Sequence, residues 1–443
     1  VLKTFLKGGV HPPENKLSAK SDIKDLPLPQ VVRIPISQHL GSPSKPVVEP
    51  GDRVKTGQLI AKSEGYVSSN IHSPVSGKIA KIDDFIDSTG YKRKTIVINT
   101  EGDEWVENID RSKEHIKEFS LSSEEIIKRI LSSGIVGLGG ATFPTHVKLS
   151  IPRGKKAEYL IINGAECEPY LTADHILMLE HGEELITGIE LLKKALKVNT
   201  ALVGIENNKH DAIEHLSTLV LNSNGIDVYA LKVKYPQGGE KQLIKALLNR
   251  EVPSGGLPID VGVVAFNVGT TFAVYEAIQK NKPLIERIVT VTGKSVKNPS
   301  NFRVRIGTPV SELIEAAGGI PEDTGKIIYG GPMMGKAISD LNVPVTKGCS
   351  GILILPEDEA SRKKVQPCIR CSKCVSVCPM GLEPYLLMSL SQVSMFDRLE
   401  SDRVMDCIEC GSCSYICPSN RPLLDYIRLG KTAVSKIIRT TKQ

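Results

Sequence analysis

A chain of 443 residues exceeds what one hydrophobic core supports and predicts three or four domains. Forty per cent of the residues are hydrophobic, enough for ordinary cores, but one Trp and eight Phe offer few stacking platforms, which argues against a nucleic-acid binder. Lys plus Arg exceed Asp plus Glu by 56 to 50; the net charge of +6 permits an acidic partner or an anionic membrane surface and establishes neither.

Residues 1–30, with GGVHPPENK and DLPLPQ, read as an extended N-terminal arm. VLKTFLKGG is too short and too interrupted for a signal peptide, and no apolar run reaches the length of a membrane span. The expectation is a soluble or peripheral chain in the cytoplasm. Residues 31–100 alternate short strands with turn residues (RIPISQHLG, EPGDRVKTGQLIA, SPVSGKIAKI). They resemble the hairpin arms of a biotinyl/lipoyl-type β barrel-sandwich hybrid. Where such carriers place their acylated Lys this chain has Tyr66, so the expectation is a scaffold and not a swinging arm.

Residues 101–120 form a charged connector. From 120 to 280 apolar strands alternate with helical patterns (EEIIKRILSSG, AEYLIINGA, EELITGIELLKKALK, TALVGIE, KQLIKALLNR), which predicts an α/β layer with a largely parallel sheet. Residues 285–350 return to short strands around one helix, VSELIEAAGG, in an order that suits a small β-grasp (SLBB) domain. From 360 to 430 the pattern is helical between two cysteine strings. The fold class is therefore α/β multidomain.

The strings are CIRCSKCVSVCP, 368–379, and CIECGSCSYICP, 407–418. Thiolates are soft ligands, and three at this spacing wrap one short loop around three corners of an iron–sulfur cubane. In two-cluster ferredoxins the fourth Cys, before Pro, ligates the other cluster. Carried over, Cys368, Cys371, Cys374 and Cys417 hold one [4Fe–4S] cluster, and Cys407, Cys410, Cys413 and Cys378 hold the second. Structural zinc is the alternative, but zinc sites pair their cysteines differently. Eight of ten cysteines clustered in this way suit a reducing compartment. Cys167 and Cys349 stand alone and read as small buried hydrophobes.

SSGIVGLGGATFPTHVKLS, 132–150, is a glycine-rich loop after a helix. Glycines let backbone approach a ligand and leave amides free for phosphate, although the loop lacks the dinucleotide fingerprint. Three further segments follow: LIINGAECEPYL, KYPQGGEKQLIKALL and VVAFNVGTTFAVYEA. In order, the four resemble the glycine loop, NADEGEP, Y..GEE and NNVET motifs of the flavin- and NADH-binding subunit of respiratory complex I. With the double cysteine motif, the barrel-sandwich start and HPPENK, nearly the whole chain resembles the C-subunit family of the Rnf ion-translocating ferredoxin:NAD oxidoreductases.

That resemblance implies a Rossmann-like domain binding FMN without a covalent bond and NAD(H) as substrate. It places Gly137, Gly139 and Gly140 beside the flavin and Lys148 on its phosphate side. Asn163 and Glu166, then Tyr235, Gly238 and Glu240, then Asn267 and Thr270 match the later motifs. Phe143 and Glu168 occupy the places that meet the nicotinamide nucleotide. Leu138, Ala165 and Gly239 depart from the family pattern. No catalytic acid or base is implied, because the cofactors carry the redox chemistry. His11, His39, His72, His146 and His175 read as surface or packing residues.

The implied activity is that of a translocase subunit, peripheral on the cytoplasmic side of the cell membrane. It passes electrons between NAD(H), FMN and the clusters, with other Rnf subunits supplying ion transport and ferredoxin an indirect partner. The basic tail GKTAVSKIIRTTKQ is a candidate dock for those subunits, and equally a solvated terminus. The alternatives are a soluble complex I- or hydrogenase-type NADH dehydrogenase subunit, and a non-enzymatic iron–sulfur scaffold or redox sensor.

Overall fold

The computed structural model describes residues 2–441. Val1 of the arm, and Lys442 and Gln443 of the basic tail, lie outside the described residues. In the first layer an antiparallel sheet runs in the order Val31–Pro35, Lys92–Gly102, Ser76–Ile86, Arg53–Val54. A second sheet is built from Lys45–Pro46, Leu59–Lys62 and Ile71–His72. Strict alternation in VVRIP sends Val32 and Ile34 inward. They share one core with Ile60, Ile71, Ile96 and Ile98, so the two sheets close as a barrel-sandwich. Tyr66, at the expected tip, is 66 % exposed.

Four parallel strands form the second layer, in the order Ile226–Leu231, Thr200–Glu206, Tyr159–Gly164, Val263–Asn267. YLIING and TALVGIE are nearly all apolar because helices cover both faces of the sheet. Ser123–Ser132, Gly182–Leu196 and Val268–Gln279 pack one face through Ile126, Leu185, Ile189 and Val274. Glu240–Leu248 covers the other face through Leu243, Ile244 and Leu247. The start of the first helix is written in the sequence: Ser122 accepts from the Glu125 amide and Glu125 accepts from the Ser122 amide, a capping box.

The third layer is a six-stranded mixed sheet around the helix Val310–Ala316. Its order is Ile23–Asp25, Ser300–Arg305, Glu286–Thr292, Gly351–Pro356, Thr324–Tyr329, Lys336–Ile338. Two features differ from the sequence reading. The arm does not stay apart, since Ile23–Asp25 pairs in parallel with Asn301–Arg303. Gly351–Pro356, beyond the expected end at residue 350, is an inner strand of this sheet.

Beyond residue 360, Pro384–Gln392, Phe396–Ser401 and Leu423–Thr441 pack around Leu387, Leu399, Leu423 and Ile427. The cysteine strings occupy turns that lead into the short helices Lys373–Ser376 and Ser412–Ile416.

Candidate functional site

In chain order the parallel strands read third, second, first, fourth, so the order reverses between Tyr159–Gly164 and Val263–Asn267. Open α/β sheets bind ligands at the carboxyl ends of strands flanking such a reversal. Asn163, one residue before the end of its strand, and Asn267, the last of its own, are register partners. Above them the glycine loop is closed by Gly137 N–H donating to Phe143 O at 2.9 Å, with its tip at Gly139 and Gly140 exposed. A Cβ on Gly139 would stand 2.8 Å from the Asn267 Cβ, so only glycine lets the loop sit this close.

Hydrogen bonds join the expected residues around this crevice. Asn267 Oδ1 accepts from Gly269 N–H at 2.8 Å, capping Val268–Gln279, and its Nδ2 donates to Asp174 at 2.6 Å. Asn163 Nδ2 donates to Gly238 O at 2.8 Å, and Thr270 Oγ1 accepts from Leu138 N–H at 2.9 Å. Lys148 Nζ meets Glu240 at 2.5 Å. Phe143, half-buried, stands on the returning limb of the loop.

Glu166, Glu168 and Tyr235 are engaged in ties to neighbouring elements. Glu166 accepts from the amides of Asp174 and His175 at 2.7 and 3.3 Å and so starts the helix Ala173–Glu180. Glu168 accepts from the amides of Met333 and Met334 at 3.0 and 2.8 Å, which pins a β-grasp loop to the α/β layer. Lost hydration pushes the Glu168 carboxyl up to about 7. The Tyr235 hydroxyl, buried, donates to the carbonyl of Cys410 at 2.8 Å.

Several residues were missed by sequence reasoning. Asp174 is one, its carboxyl raised by burial and by the neighbouring Glu166. Arg287 is another: its guanidinium donates to the carbonyls of Leu138 and Cys349, so a cation from the β-grasp sheet reaches the glycine loop. Lys16 of the arm donates to the carbonyls of Glu166, Glu168 and Leu171 at 2.7–3.0 Å. A capping pattern could have flagged Asp174; nothing local marks the other two. Of the histidines, His11 is exposed, His39 and His146 are buried, and His175 meets Asp211 at 2.7 Å.

The cysteine strings interleave in space. One apolar cavity is lined by Cys378 together with Cys407, Cys410 and Cys413, walled by Leu387, Leu424 and Ile427. Burial and the neighbouring Cys407, Cys410 and Cys378 raise the Cys413 thiol to about 12. At the other string, Gln366 N–H donates to Ser419 O and Asn420 Nδ2 to Lys364 O, bringing the Cys417 turn beside Cys368. Burial raises the Cys374 thiol, and Cys417 is near enough to add to the shift.

Both sites fit the groups the motifs imply. Four thiols around a cavity are the donor set of a cubane. Around the glycine loop and the Tyr235–Glu240 turn, Thr145, Gln237 and Gln242 each hold a buried polar atom lacking a hydrogen-bond partner among the described residues. Such atoms carry a cost that a polar ligand relieves.

Comparison with known proteins agrees domain by domain. Residues 4–103 match the RnfC barrel sandwich hybrid domain, 130–276 the Nuo51 FMN-binding domain, 288–337 the SLBB domain and 360–418 the 4Fe-4S dicluster domain. The C subunit of the proton-translocating ferredoxin:NAD(+) oxidoreductase complex of Clostridium ljungdahlii is 47 % identical over 91 % of this chain and 87 % of its own. The family is thereby decided. The chain belongs to the C-subunit family of ion-translocating ferredoxin:NAD(+) oxidoreductase complexes.

The C subunit of the Na(+)-translocating complex of Acetobacterium woodii is 45 % identical over 97 % of this chain and 96 % of its own. A solved NAD+-reducing [NiFe]-hydrogenase in its H2-reduced state is 17 % identical with a TM-score of 0.49, covering 70 % of this chain and 62 % of the other. Membership of the C-subunit family, with both domain matches, makes residues 130–276, which hold the crevice, an FMN-binding domain and the cysteine region a two-cluster [4Fe–4S] domain.

Proposed function

We propose that this chain is the NAD(H)-facing subunit of a membrane Rnf complex, peripheral on its cytoplasmic side. It exchanges electrons between NAD(H), FMN and two [4Fe–4S] clusters, while other subunits translocate the ion and meet ferredoxin. Among the described residues no helix is long and apolar enough to cross a membrane.

A bound FMN exchanges a hydride with NAD(H) and single electrons with iron–sulfur centres. The chain's own residues supply position. Gly137, Gly139 and Gly140 let backbone close on the flavin, Asn163, Gly238, Asn267 and Thr270 fix the crevice around it, and the Lys148–Glu240 pair stands at its edge. Phe143 lies where a nicotinamide nucleotide would enter.

The observation that carries the reading is the junction at Tyr235. Its chain segment lies between Asn163 and Glu240 in the crevice, and its hydroxyl reaches the Cys410 turn. Val10, Tyr235 and Cys410 form one small core with Cys167 and Met333 packed on it. The crevice and the cavity of Cys378, Cys407, Cys410 and Cys413 are thus linked through the buried Tyr235 contact. That cavity would hold the inner cluster, and Cys368, Cys371, Cys374 and Cys417 the outer one.

Anaerobic purification with iron, sulfide and flavin counted per chain is the test. About eight iron, eight sulfide and one FMN are expected, with NADH-dependent reduction of an artificial acceptor. Four iron, or iron without flavin and without that activity, would overturn it.

A further inference from the structure

The two cysteine strings carry opposite charges at one matching position. Each opens Cys-Ile-X-Cys, and X is Arg370 in the first string and Glu409 in the second. Both residues hold the left-handed conformation, at φ 55° and 56°, so the two turns share their shape there. Arg370 is exposed, whereas Glu409 is half-buried between Cys407 and Cys410, two residues lining the inner cavity. The Glu409 amide donates to Cys407 Sγ at 3.4 Å. Reduction of a cubane adds one negative charge, which a carboxylate beside its ligands opposes.

The long helix Leu423–Thr441 answers that carboxylate. Its residues Ile427 and Val434 are buried in the core of the cysteine domain, and a Cβ on Gly430 would collide with Ser391, so the helix lies close on its neighbour. Arg428 and Lys431, three residues apart, both reach Glu409, at 3.1 and 2.9 Å. Lys431 does more, since its Nζ also donates to the carbonyl of Cys407 at 2.6 Å. Two cations against one carboxylate leave a positive charge standing on a ligand residue of the inner cavity. Asp406, the other acid next to this string, is turned away to Ser254 and Gly255. The carbonyls of Cys407 and Cys410 thus take side-chain donors, Lys431 and Tyr235, whereas the Cys417 carbonyl takes the backbone amide of Asn420.

We infer that Lys431 tunes the inner cluster: acting through Cys407, its ammonium outweighs Glu409 and raises the reduction potential of that centre, favouring electron uptake from the flavin side. The inference rests on the two-cluster reading above. Local charge, hydrogen bonding and exposure set the potential of such a cluster, and a charge counts for more where water is excluded. The step that Lys431 biases moves one electron from the NADH-reduced flavin to the cubane, which is reduced by one, with no bond made at the cluster and no proton required there.

The test is an anaerobic potentiometric titration of the full holo-chain followed by electron paramagnetic resonance, with iron counted in every sample. Cys417→Ser, which lacks a ligand of the outer cluster, identifies the inner signal. Lys431→Met should shift the inner equilibrium about tenfold against reduction, a fall of about 59 mV for one electron, and leave the outer signal nearly in place. Lys431→Arg keeps the cation and should keep most of the potential. Glu409→Gln removes the opposing carboxylate and should raise the potential. Lys436→Met, at an exposed position of the same helix, removes the same charge and should move neither signal.

Should Lys431→Met lose iron, Lys431→Gln is read instead, since it keeps an N–H donor without the charge, and should give a fall in the same direction. If that variant also loses iron, Glu409→Gln decides alone. An inner potential unmoved by loss of the Lys431 charge with both clusters present overturns the inference. So does an equal fall in Lys431→Arg or in Lys436→Met, or the absence of a rise in Glu409→Gln. Parent protein holding fewer than two clusters would fail the underlying reading instead.

Discussion

Replacing Cys378 by Ser removes a thiolate from the cavity that Cys407, Cys410 and Cys413 line, although Cys378 belongs to the other string in sequence. The expected result is selective loss of the inner cluster, with the iron count falling from about eight toward four. Cys417→Ser should instead remove the outer cluster. The two variants then differ in which cluster signal survives reduction by NADH: Cys417→Ser keeps the centre next to the flavin crevice, and Cys378→Ser keeps only the distant one. The opposite pattern, with Cys378→Ser losing the Cys368 centre and Cys417→Ser losing the Cys407 centre, would show that each string serves itself. The proline after each fourth cysteine helps to explain the exchange. Pro379 and Pro418 cannot continue the short helices before them, so each string leaves its own loop at that residue.

At the scale of elements, the N-terminal arm acts as a strap. Lys3 bridges Leu231 at the outer strand of the parallel sheet, Gly9 N–H donates to Val377 O, Lys16 grips the Glu166–Leu171 loop, and Ile23–Asp25 joins the β-grasp sheet. Burial and the nearby Lys209 lower Lys16 to about 8, so its ammonium is costly where it stands and its three hydrogen bonds offset that cost. Lys16→Met leaves three carbonyls short of a donor and should destabilise the chain by about 2–4 kcal/mol, with the arm cut sooner in limited proteolysis. Unchanged melting and cleavage would show the arm to be an ornament.

The sequence reading placed an extended arm here but not its partners, because Asn301–Arg303 lie far along the chain and no local pattern of Pro and Lys encodes a strand three residues long. The same reason hid Arg287, which meets the glycine loop across a domain boundary. The cysteine spacing, the apolar parallel strands and the alternating barrel-sandwich strands were legible because their signals are periodic and local. For Glu166 and Glu168 the motif resemblance suggested ligand contacts. In the structure both carboxylates are taken up by backbone amides, a use that depends on the tertiary approach of Ala173–Glu180 and of the Met333 loop.

Across the whole molecule, one side chain joins three domains. Lys347, 1 % exposed, lies between the β-grasp strands Lys336–Ile338 and Gly351–Pro356 and donates through Nζ to Asn70 O of the barrel-sandwich and Gly134 O of the α/β layer, both at 2.7 Å. Its own amide donates to Gln38 Oε1. With no carboxylate as a partner, burial alone lowers its pKa from 10.5 to about 7. The unfolded chain therefore holds this proton up to 10.5 while the folded chain releases it above about 7. Between those values the unfolded state binds more protons, so this group's contribution to stability rises with pH, by at most about 1.4 kcal/mol per pH unit. Lys347→Met abolishes the slope and leaves two buried carbonyls without their donor, a loss of about 1–3 kcal/mol for each. Below pH 7 the parent also bears the full cost of burying the charge, so the variant's deficit is smallest there and widens toward alkaline pH. Thermal unfolding of parent and variant should diverge as pH rises from 7. Parallel profiles would mean that the ammonium stays charged at the junction across this pH range and that its burial does not shift its proton binding.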